Sequence, residues 1–354
     1  MKKKLFLILI VWCLLIVGIY IPKKRYSPFE NRYLETFSFP ELKEVISLDW
    51  MDDFEAALCD QFKFRNVSIT IKTYIDKILG RKDNGRVYFG KEDYLMKIED
   101  TENKYLDANI EALNILGETS TPIDFIPVYS SLAALPELAP NYIQSNQIKI
   151  MEYLKDNLEN INIIDAYDVL KGNNKYYYKT DHHWTMEGAR AVYNFYMNKN
   201  NNADLVSVKD DFLGTLYFQA PILNSVTDTI LSLEDKEIIA EYSDGTDKTS
   251  YYSEKHLKTN DSYRYYLDGN YERIDITTQT ANGKSLLVIK DSYANCFVPF
   301  LNEDYQYITI LDLRYGNTDV LNVLDEGFDR CLVLYEMSQF CQDEYISRGV
   351  KYHD

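Results

Sequence analysis

The sequence has 354 residues, of which 46% are hydrophobic and 26% charged, so it is long enough for a sizeable core and is not an intrinsically disordered chain. The net charge is −17, and residues 1–25 carry six Lys/Arg and no acidic residue, so the rest of the chain is more acidic still. So acidic a surface repels phosphate groups, which excludes nucleic acid and anionic lipid as ligands.

The N-terminal segment is the first predicted element. From Leu5 to Ile21 the chain has 17 residues without a charge, which as a helix rise about 26 Å against a hydrocarbon core of about 30 Å. No Ala-x-Ala cleavage signal follows this run. We therefore predict a single-pass membrane anchor at residues 1–25, with the body of the protein on the extracytoplasmic side of the cell membrane.

Residues 26–102 are predicted to form an N-terminal arm, two helices and a hairpin. Prolines and aromatic residues in 26–42 indicate an extended arm. Apolar residues at helical spacing predict amphipathic helices near Trp50–Phe62 and Val67–Leu79. The run "GRVYFGKEDYLM" (85–96) predicts two short strands around a Gly-Lys-Glu-Asp turn.

Residues 103–354 alternate helical and apolar segments. The predicted helices lie near 105–116 and 146–158, and the predicted strands lie at 123–128, 161–165, 285–291, 307–313 and 331–336. This alternation predicts an α/β domain with a mostly parallel sheet flanked by helices. Residues 207–280 break the rhythm with short alternating runs such as "GTLYFQ" and "RIDITTQ", and they predict a β-rich insertion.

The segment "KTDHHW" (179–184) holds two of the four histidines of the chain. Thr185 is a credible N-cap, so the motif lies on the loop that enters the next helix. Asp181 stands two residues before His183, a spacing that can bring the carboxylate to the Nδ1–H of the imidazole and leave Nε2 as a general base. The alternative is a loop histidine and tryptophan that fill a gap in the core.

A second motif is "SLLVIKDSYANCFVPFL" (285–301), in which an apolar strand ends at Asp291. Ser292 stands at the switch from this strand into a helical segment. That geometry exposes a serine hydroxyl above the sheet edge and leaves nearby backbone N–H groups free for an oxyanion. The alternative is a serine that only caps the turn.

Three separated segments, "KTDHHW", "LLVIKDSYANCFVPFL" and "ITILDLRYG", together resemble the DHHW protein family, and the likeness extends from about residue 27 to 340. This family is similar to the SGNH-hydrolase-like enzymes of alginate O-acetylation, in which an Asp-x-His-Trp element precedes the serine. The resemblance implies an SGNH-hydrolase-like fold with Ser292 as nucleophile, His183 as base and Asp181 as the residue that orients the base.

The same resemblance implies a function and partners. It implies O-acetylation of a cell-surface polysaccharide, with the acetyl group supplied by a membrane-bound O-acyltransferase. Two alternatives stay open from the residues alone: a glycan acetylesterase, and a non-catalytic glycan-binding or assembly subunit. Transfer and hydrolysis differ only in how well water is excluded from the acyl-enzyme, which a sequence does not reveal.

Four further residues are candidates for contacts with the substrate or an oxyanion. They are His182, Trp184, Asn295 and Arg314. His182 occupies the middle position of the motif and is either structural or in contact with substrate. Arg314 follows a strand, where it either binds an anion or closes the strand with a salt bridge. Asn295 is either a donor near the site or a polar residue in the first turn of a helix.

A metal site is the remaining alternative. The triplet Asp-His-His also resembles part of the signature of manganese-binding phosphoesterases, but those proteins need further His-x-Asp or Asp-x-Asp motifs, and none is evident here. The five cysteines also lack metal-type spacing. We therefore predict no metal and no cofactor, and we expect buried free thiols at least as readily as disulfides.

Overall fold

The structure is a computed structural model that describes residues 6, 8–14, 25–27, 32–36, 43, 50–100, 102–222 and 225–350. Its strands are β1 (Tyr26–Ser27), β2 (Arg32–Tyr33), β3 (Val87–Phe89), β4 (Leu95–Lys97), β5 (Ile123–Val128), β6 (Ile161–Ile163), β7 (Val206–Phe212), β8 (Asp228–Ser232), β9 (Ile239–Tyr242), β10 (Asp247–Lys248), β11 (Arg273–Thr277), β12 (Ser285–Lys290), β13 (Tyr307–Leu311) and β14 (Arg330–Glu336). Eight of them form one sheet of order β10-β9-β11-β13-β12-β14-β5-β6.

The five strands from β13 to β6 in this order form the parallel half of the sheet. β5 is buried along its whole length, and β12 is buried at every residue after Ser285. A strand covered on both faces needs apolar residues at almost every position, which is why these segments appear in the sequence as continuous apolar runs. The five predicted strands are confirmed to within two residues at each end.

The chain from the start of β7 to the end of β11 (residues 206–277), called the insertion below, contributes the antiparallel strands. β11 pairs antiparallel with β13, β9 with β11 and β10 with β9. β7 and β8 form a separate antiparallel pair. The fold is therefore α/β with a large mixed sheet, in which three antiparallel strands extend the five parallel ones.

One part of the insertion differs from the prediction. The run "GTLYFQ" was expected to be extended, but Thr215–Gln219 is a short helix. Its backbone forms hydrogen bonds within the helix instead of pairing with a neighbouring strand: Ala220 N–H donates to the Leu216 carbonyl at 3.0 Å. Tyr217 N–H donates to the Thr180 carbonyl at 3.0 Å, which docks the helix on the KTDHHW loop.

The four predicted helices and the predicted hairpin agree with the structure. The longer helices are Trp50–Asp60, Arg65–Ile78, Leu106–Gly117, Gln147–Asn157 and Met186–Met197. The shorter α-helices are Ser131–Ala134, Tyr167–Leu170, Thr215–Gln219, Val320–Leu324, Met337–Gln342 and Tyr345–Gly349. The hairpin is confirmed as the antiparallel pair β3–β4. All five cysteines are free thiols, and the last three are buried.

The prediction of a membrane anchor at residues 1–25 is wrong. In the part of the chain that the structure describes, no helix combines the length and the apolar character needed to traverse a bilayer. The residues of this segment that the structure describes as helical are 6 and 8–14. The predicted location at the cell membrane and the predicted membrane contact both rested on this anchor, and neither is supported.

Two regional predictions concern residues near the N-terminus. The predicted arm at 26–42 lies largely outside the described residues, apart from the short antiparallel pair β1–β2 and residues 34–36. The predicted division of the chain at residues 25/26 and 102/103 stays a prediction. What positions the site is the large sheet, because Ser292 follows its central strand β12.

Candidate active site

The KTDHHW segment forms a tight loop in front of the helix Met186–Met197. Tyr177 and Trp184 pair as an antiparallel bridge, so the residues between them turn back on themselves. Thr185 caps the helix, because its hydroxyl oxygen accepts a hydrogen bond from Gly188 N–H at 3.2 Å. The predicted N-cap is confirmed, and it fixes the end of the loop.

Asp181, His183 and Ser292 form one hydrogen-bonded chain. His183 Nδ1 lies 2.5 Å from Asp181 Oδ1, and His183 Nε2 lies 2.8 Å from Ser292 Oγ. The backbone N–H of His183 also donates to Asp181 Oδ1, at 3.0 Å. Asp181 and His183 are buried, whereas Ser292 is partly exposed. The fold therefore brings together two motifs that are 109 residues apart.

The second carboxylate oxygen of Asp181 is held by the insertion. Thr215 N–H donates to Oδ2 at 2.7 Å, and Thr215 Oγ1 lies 3.0 Å from the same oxygen. A Cβ on Gly214 would lie 2.2 Å from the Cβ of Asp181, so only glycine fits there. Burial raises the pKa of Asp181, but the neighbouring histidines His182 and His183 and the hydrogen bonds from His183 and from the Thr215 N–H outweigh burial and hold this pKa well below its ordinary value. Asp181 is therefore a carboxylate.

Asp228, the first residue of β8, fixes the start of the same loop. One of its oxygens accepts from Lys179 N–H at 2.8 Å, and the other accepts from Thr180 N–H at 2.8 Å and from Thr180 Oγ1 at 2.6 Å. Thr180 Oγ1 in turn accepts from Gly214 N–H at 2.9 Å. The insertion thus holds the backbone on the N-terminal side of Asp181 as well as its side chain.

The ring of His183 is held by aromatic contacts. It stacks on Tyr263, with ring centroids 3.7 Å apart and planes 7° apart, and the ring of His182 also lies close, at 3.9 Å. The Tyr263 hydroxyl lies 3.3 Å from the thiol of Cys296. An imidazole fixed by a carboxylate at one nitrogen and by a stacked ring on its face has a single orientation, and this orientation presents Nε2 to Ser292.

Ser292 begins the 3₁₀ helix Ser292–Cys296, which Asp291 caps. One Asp291 oxygen accepts from Tyr293 N–H and the other from Glu336 N–H, both at 2.8 Å. Burial raises the pKa of Asp291 to about 6. Because the N–H of Tyr293 is bound to Asp291, it is not one of the free backbone donors expected beside the serine.

Trp184 and Tyr293 join the two motifs. The indole Nε1–H of Trp184 donates to the carbonyl of Tyr293 at 2.8 Å, and the phenol of Tyr293 donates to the carbonyl of His182. Trp184 is completely buried, at 0% exposure. This side chain, a candidate for substrate contact from the sequence, therefore fixes the backbone next to Ser292 instead of lining an open surface.

Arg314 and Asn295 belong to a polar cluster around the turn of Ser292. Arg314 binds both oxygens of Asp312, through Nε at 2.8 Å and Nη2 at 2.6 Å. The buried amine of Lys290 donates to Asp312 at 3.2 Å and to Asn295 Oδ1 at 2.7 Å. Arg314 thus forms a salt bridge, which is one of the two roles predicted for it. Among the described residues, no hydrogen bond uses its Nη1.

His182 is the more open of the two histidines. Its side chain is 27% exposed, against 6% for His183. Its Nδ1 lies 2.8 Å from Thr215 Oγ1. Desolvation and the neighbouring His183 lower the pKa of His182 to about 3, so its imidazole is neutral at neutral pH.

The same residues offer potential metal ligands. One ligand atom each of Asp181, His182 and His183 lies within 4.8 Å of the others. A metal needs an imidazole nitrogen without a proton. In the hydrogen-bonded arrangement the two Nδ1 atoms face oxygens of Asp181 and Thr215 instead. The group therefore has the donor chemistry of a metal site but uses it in hydrogen bonds.

Four residues that support the site were missed in the sequence. They are Gly214, Thr215, Asp228 and Tyr263. All four belong to the insertion, and each contacts the KTDHHW loop across at least 30 residues of chain. No local spacing signals such a contact.

Comparisons with known proteins place the chain in context. The sequence model of the DHHW protein family matches residues 91–311. No curated protein sequence matches the chain. Among solved structures, PatB1 of Bacillus cereus, with a sulfonyl adduct, has a TM-score of 0.62 at 22% identity over 75% of this chain and 100% of its own. A DHHW family protein from Eubacterium siraeum has a TM-score of 0.63 at 18% identity over 76% and 100%. These likenesses show a shared fold.

Proposed function

The chain belongs to the DHHW protein family, as its motifs predicted, and on this premise we propose that it is an SGNH-like O-acyltransferase that acetylates a polysaccharide. The observation that carries the proposal is the unbroken chain from Asp181 through His183 to Ser292, with 2.5 Å and 2.8 Å between its polar atoms. This is the arrangement that acyl transfer through a serine requires: a nucleophile, a base in reach of it and a carboxylate that orients the base.

In the proposed reaction Ser292 Oγ attacks the carbonyl carbon of an acetyl donor, and His183 Nε2 takes the hydroxyl proton. The leaving group departs with that proton, and the acetyl group stays on Ser292. An acceptor hydroxyl then gives its proton to His183 and attacks the same carbonyl, which returns Ser292. Asp181 stays ionised throughout and stabilises the imidazolium that forms in each half-reaction.

The negative charge on the carbonyl oxygen also needs a partner. Tyr293 N–H donates to Asp291, and the amide Nδ2 of Asn295 donates to Asn270 Oδ1 at 3.1 Å. Arg314 has hydrogen-bond donors beyond those that hold Asp312. We therefore assign oxyanion stabilisation to Arg314, whose positive charge also acts on the pKa of Asp291 and His182.

The resemblance to the enzymes of alginate O-acetylation supplies the proposed partners. A polysaccharide is the acceptor, and a membrane-bound O-acyltransferase supplies the acetyl group. If water replaces the acceptor, the same residues make a glycan acetylesterase. The complete hydrogen-bonded chain and the partly exposed Ser292 disfavour the alternative of a subunit that only binds glycan.

A metal-dependent phosphoesterase is the second candidate. It is favoured by one observation, the closeness of the ligand atoms of Asp181, His182 and His183. A metal ion bound there would replace the 2.5 Å hydrogen bond between Asp181 Oδ1 and His183 Nδ1, with both atoms as its ligands, or would bind other atoms of these residues. The acyltransferase accounts for that contact directly and for Ser292, for which the metal mechanism has no use.

Covalent labelling tests the proposal. A fluorophosphonate probe should label the wild-type protein at Ser292, because only an activated serine reacts with it, and Ser292→Ala should abolish the label. Ser130 offers a control, since it lies two residues after the end of another parallel strand, β5, but is buried and donates its hydroxyl to Glu99. Labelling that survives in Ser292→Ala, or that is lost in a folded Ser130→Ala protein, would contradict the assignment of the nucleophile.

A further inference from the structure

The hydroxyl of Thr215 lies between Asp181 and His182. Its Oγ1 is 3.0 Å from Asp181 Oδ2 and 2.8 Å from His182 Nδ1. Both are hydrogen-bond distances, and a hydroxyl carries only one hydrogen to share between them. The direction of the two hydrogen bonds is therefore fixed by what the neighbours can donate.

The carboxylate of Asp181 is ionised and can only accept, so the Thr215 hydroxyl must donate to Asp181. The hydrogen in the second contact then comes from His182 Nδ1, which donates to Thr215 Oγ1. A neutral imidazole has one N–H, and His182 is neutral at neutral pH. Thr215 therefore sets the tautomer of His182 and leaves its Nε2 as an acceptor with a free lone pair.

Both imidazoles of the motif are then oriented by the same carboxylate. His183 reaches Asp181 directly through Nδ1, and His182 reaches it through Thr215. Since both rings direct Nδ1 towards Asp181, both direct Nε2 away from it, and the ring centroids are only 3.9 Å apart. Among the described hydrogen bonds, His183 Nε2 is used by Ser292, whereas His182 Nε2 is used by none.

We propose that His182 Nε2 accepts a hydrogen bond from a second hydroxyl of the acceptor, next to the one that attacks, so that the site selects a vicinal diol of a sugar. This inference rests on the proposed acyl transfer and names the acceptor chemistry of the same site. The attacking hydroxyl gives its proton to His183 and forms the new ester bond, while the bond from the acetyl carbon to Ser292 Oγ breaks and the proton returns to that oxygen. The neighbouring hydroxyl stays intact and donates to His182.

This arrangement discriminates against water. A water molecule has one oxygen, so two water molecules, each immobilised separately, are needed to fill the position beside His183 and the position beside His182. A sugar with adjacent hydroxyls fills both positions with one molecule, and the second hydrogen bond is kept while the ester forms. An acceptor that leaves a polar site atom unpaired is disfavoured by roughly tenfold per hydrogen bond.

The test measures how the acetyl-enzyme divides between transfer and hydrolysis. Purified full-length protein is supplied with p-nitrophenyl acetate and either cis-1,2-cyclohexanediol or cyclohexanol at equal concentration, and acetylated alcohol and free acetate are quantified. We expect the wild type to give a ratio of ester to acetate about tenfold higher with the diol. His182→Phe keeps a planar ring but has no acceptor, and it should bring the two alcohols to the same ratio.

A second pair of variants probes the tautomer. Thr215→Ser keeps the hydroxyl and should keep the preference for the diol, whereas Thr215→Val removes the hydroxyl and should weaken it. Because the readout is a product ratio from one acetyl-enzyme, it does not depend on how fast that intermediate forms. A preference for the diol that survives in His182→Phe would overturn this inference alone. A wild type that hydrolyses the ester but never transfers it would overturn the acyltransferase as well.

Discussion

The parallel half of the sheet and the insertion contribute to the site in different ways. The parallel half supplies the proposed nucleophile: β12 runs through the middle of the sheet, and Ser292 stands at its end beside Asp291, which caps the turn. The insertion supplies no member of the Asp181–His183–Ser292 chain, yet Thr215 and Tyr263 hold the other two members in place. The position of Ser292 thus follows from regular sheet structure, whereas the position of His183 depends on packing of the KTDHHW loop against residues far away in the sequence.

The largest expected effect tests whether the two regions act as one unit. Ser292→Ala, His183→Ala and Asp181→Asn should each lower kcat for an acetyl ester by about 10⁴-fold, and the Ser292→Ala/His183→Ala double variant should lose little more, because members of a triad are not independent. Steady-state kinetics on p-nitrophenyl acetate, with circular dichroism to verify folding, provide the measurement.

The neighbouring histidine is the control for this series. His182→Ala should reduce ester hydrolysis far less than His183→Ala does, since His182 does not take the proton of Ser292. A His182→Ala defect as deep as that of His183→Ala, or a double variant with strictly multiplied losses, would mean that the roles are assigned to the wrong residues.

An intermediate effect is expected when only the insertion is disturbed. In Gly214→Ala the new Cβ would lie 2.2 Å from the Cβ of Asp181, so the carboxylate must move. A displacement of about 1 Å in a catalytic group costs roughly 10²-fold in rate, so kcat should fall by about that factor. The measurement is kcat per folded molecule, with the folded fraction taken from thermal unfolding.

Gly117→Ala is the matched control for Gly214→Ala. Its Cβ would lie 2.7 Å from the backbone carbonyl oxygen of Glu159, a clash against backbone at the end of the helix Leu106–Gly117. This variant should lose stability while each folded molecule keeps its kcat. If both glycine variants lose kcat alike, the loss reflects general destabilisation and the special role of the insertion is refuted.

The smallest expected effect is that of a chelator. If the insertion positions a base and not a metal ligand, incubation with EDTA should leave ester hydrolysis unchanged. The assay is the same turnover of p-nitrophenyl acetate, measured before and after dialysis against the chelator. Activity that disappears in EDTA and returns with manganese would favour the phosphoesterase and reverse the roles given to Asp181, His182 and His183.

Much of the parallel half was predictable from the sequence. Strands buried on both faces appear as unbroken apolar runs, and "SLLVIK" placed Ser292 at a strand end without further information. The turn between Asp181 and His183 was predictable as well, because a carboxylate two residues before an imidazole reaches it within a tight loop. In both cases the signal lies in neighbouring residues.

The insertion was predictable in composition but not in detail. "GTLYFQ" alternates like a strand, and its helical form depends on docking against Thr180, which local pattern does not encode. The same holds for the hydrogen bond from Thr215 to Asp181, which spans 34 residues of chain. The predicted membrane anchor rested on the absence of charges alone, and among the described residues no helix is long and apolar enough to span a membrane.

The pairing of β11 with β13 has a consequence for any attempt to shorten this protein. β13 is a five-residue strand, buried at all but its first position, whose Ile308 and Ile310 lie opposite Ile276 and Ile274 of β11. Without the insertion, its outer N–H and C=O groups would form a free hydrophobic edge, and such edges recruit strands from other molecules. A trimmed version that keeps Ser292 would therefore be prone to self-association, because the insertion moves the edge of the sheet from β13 to the two-residue strand β10.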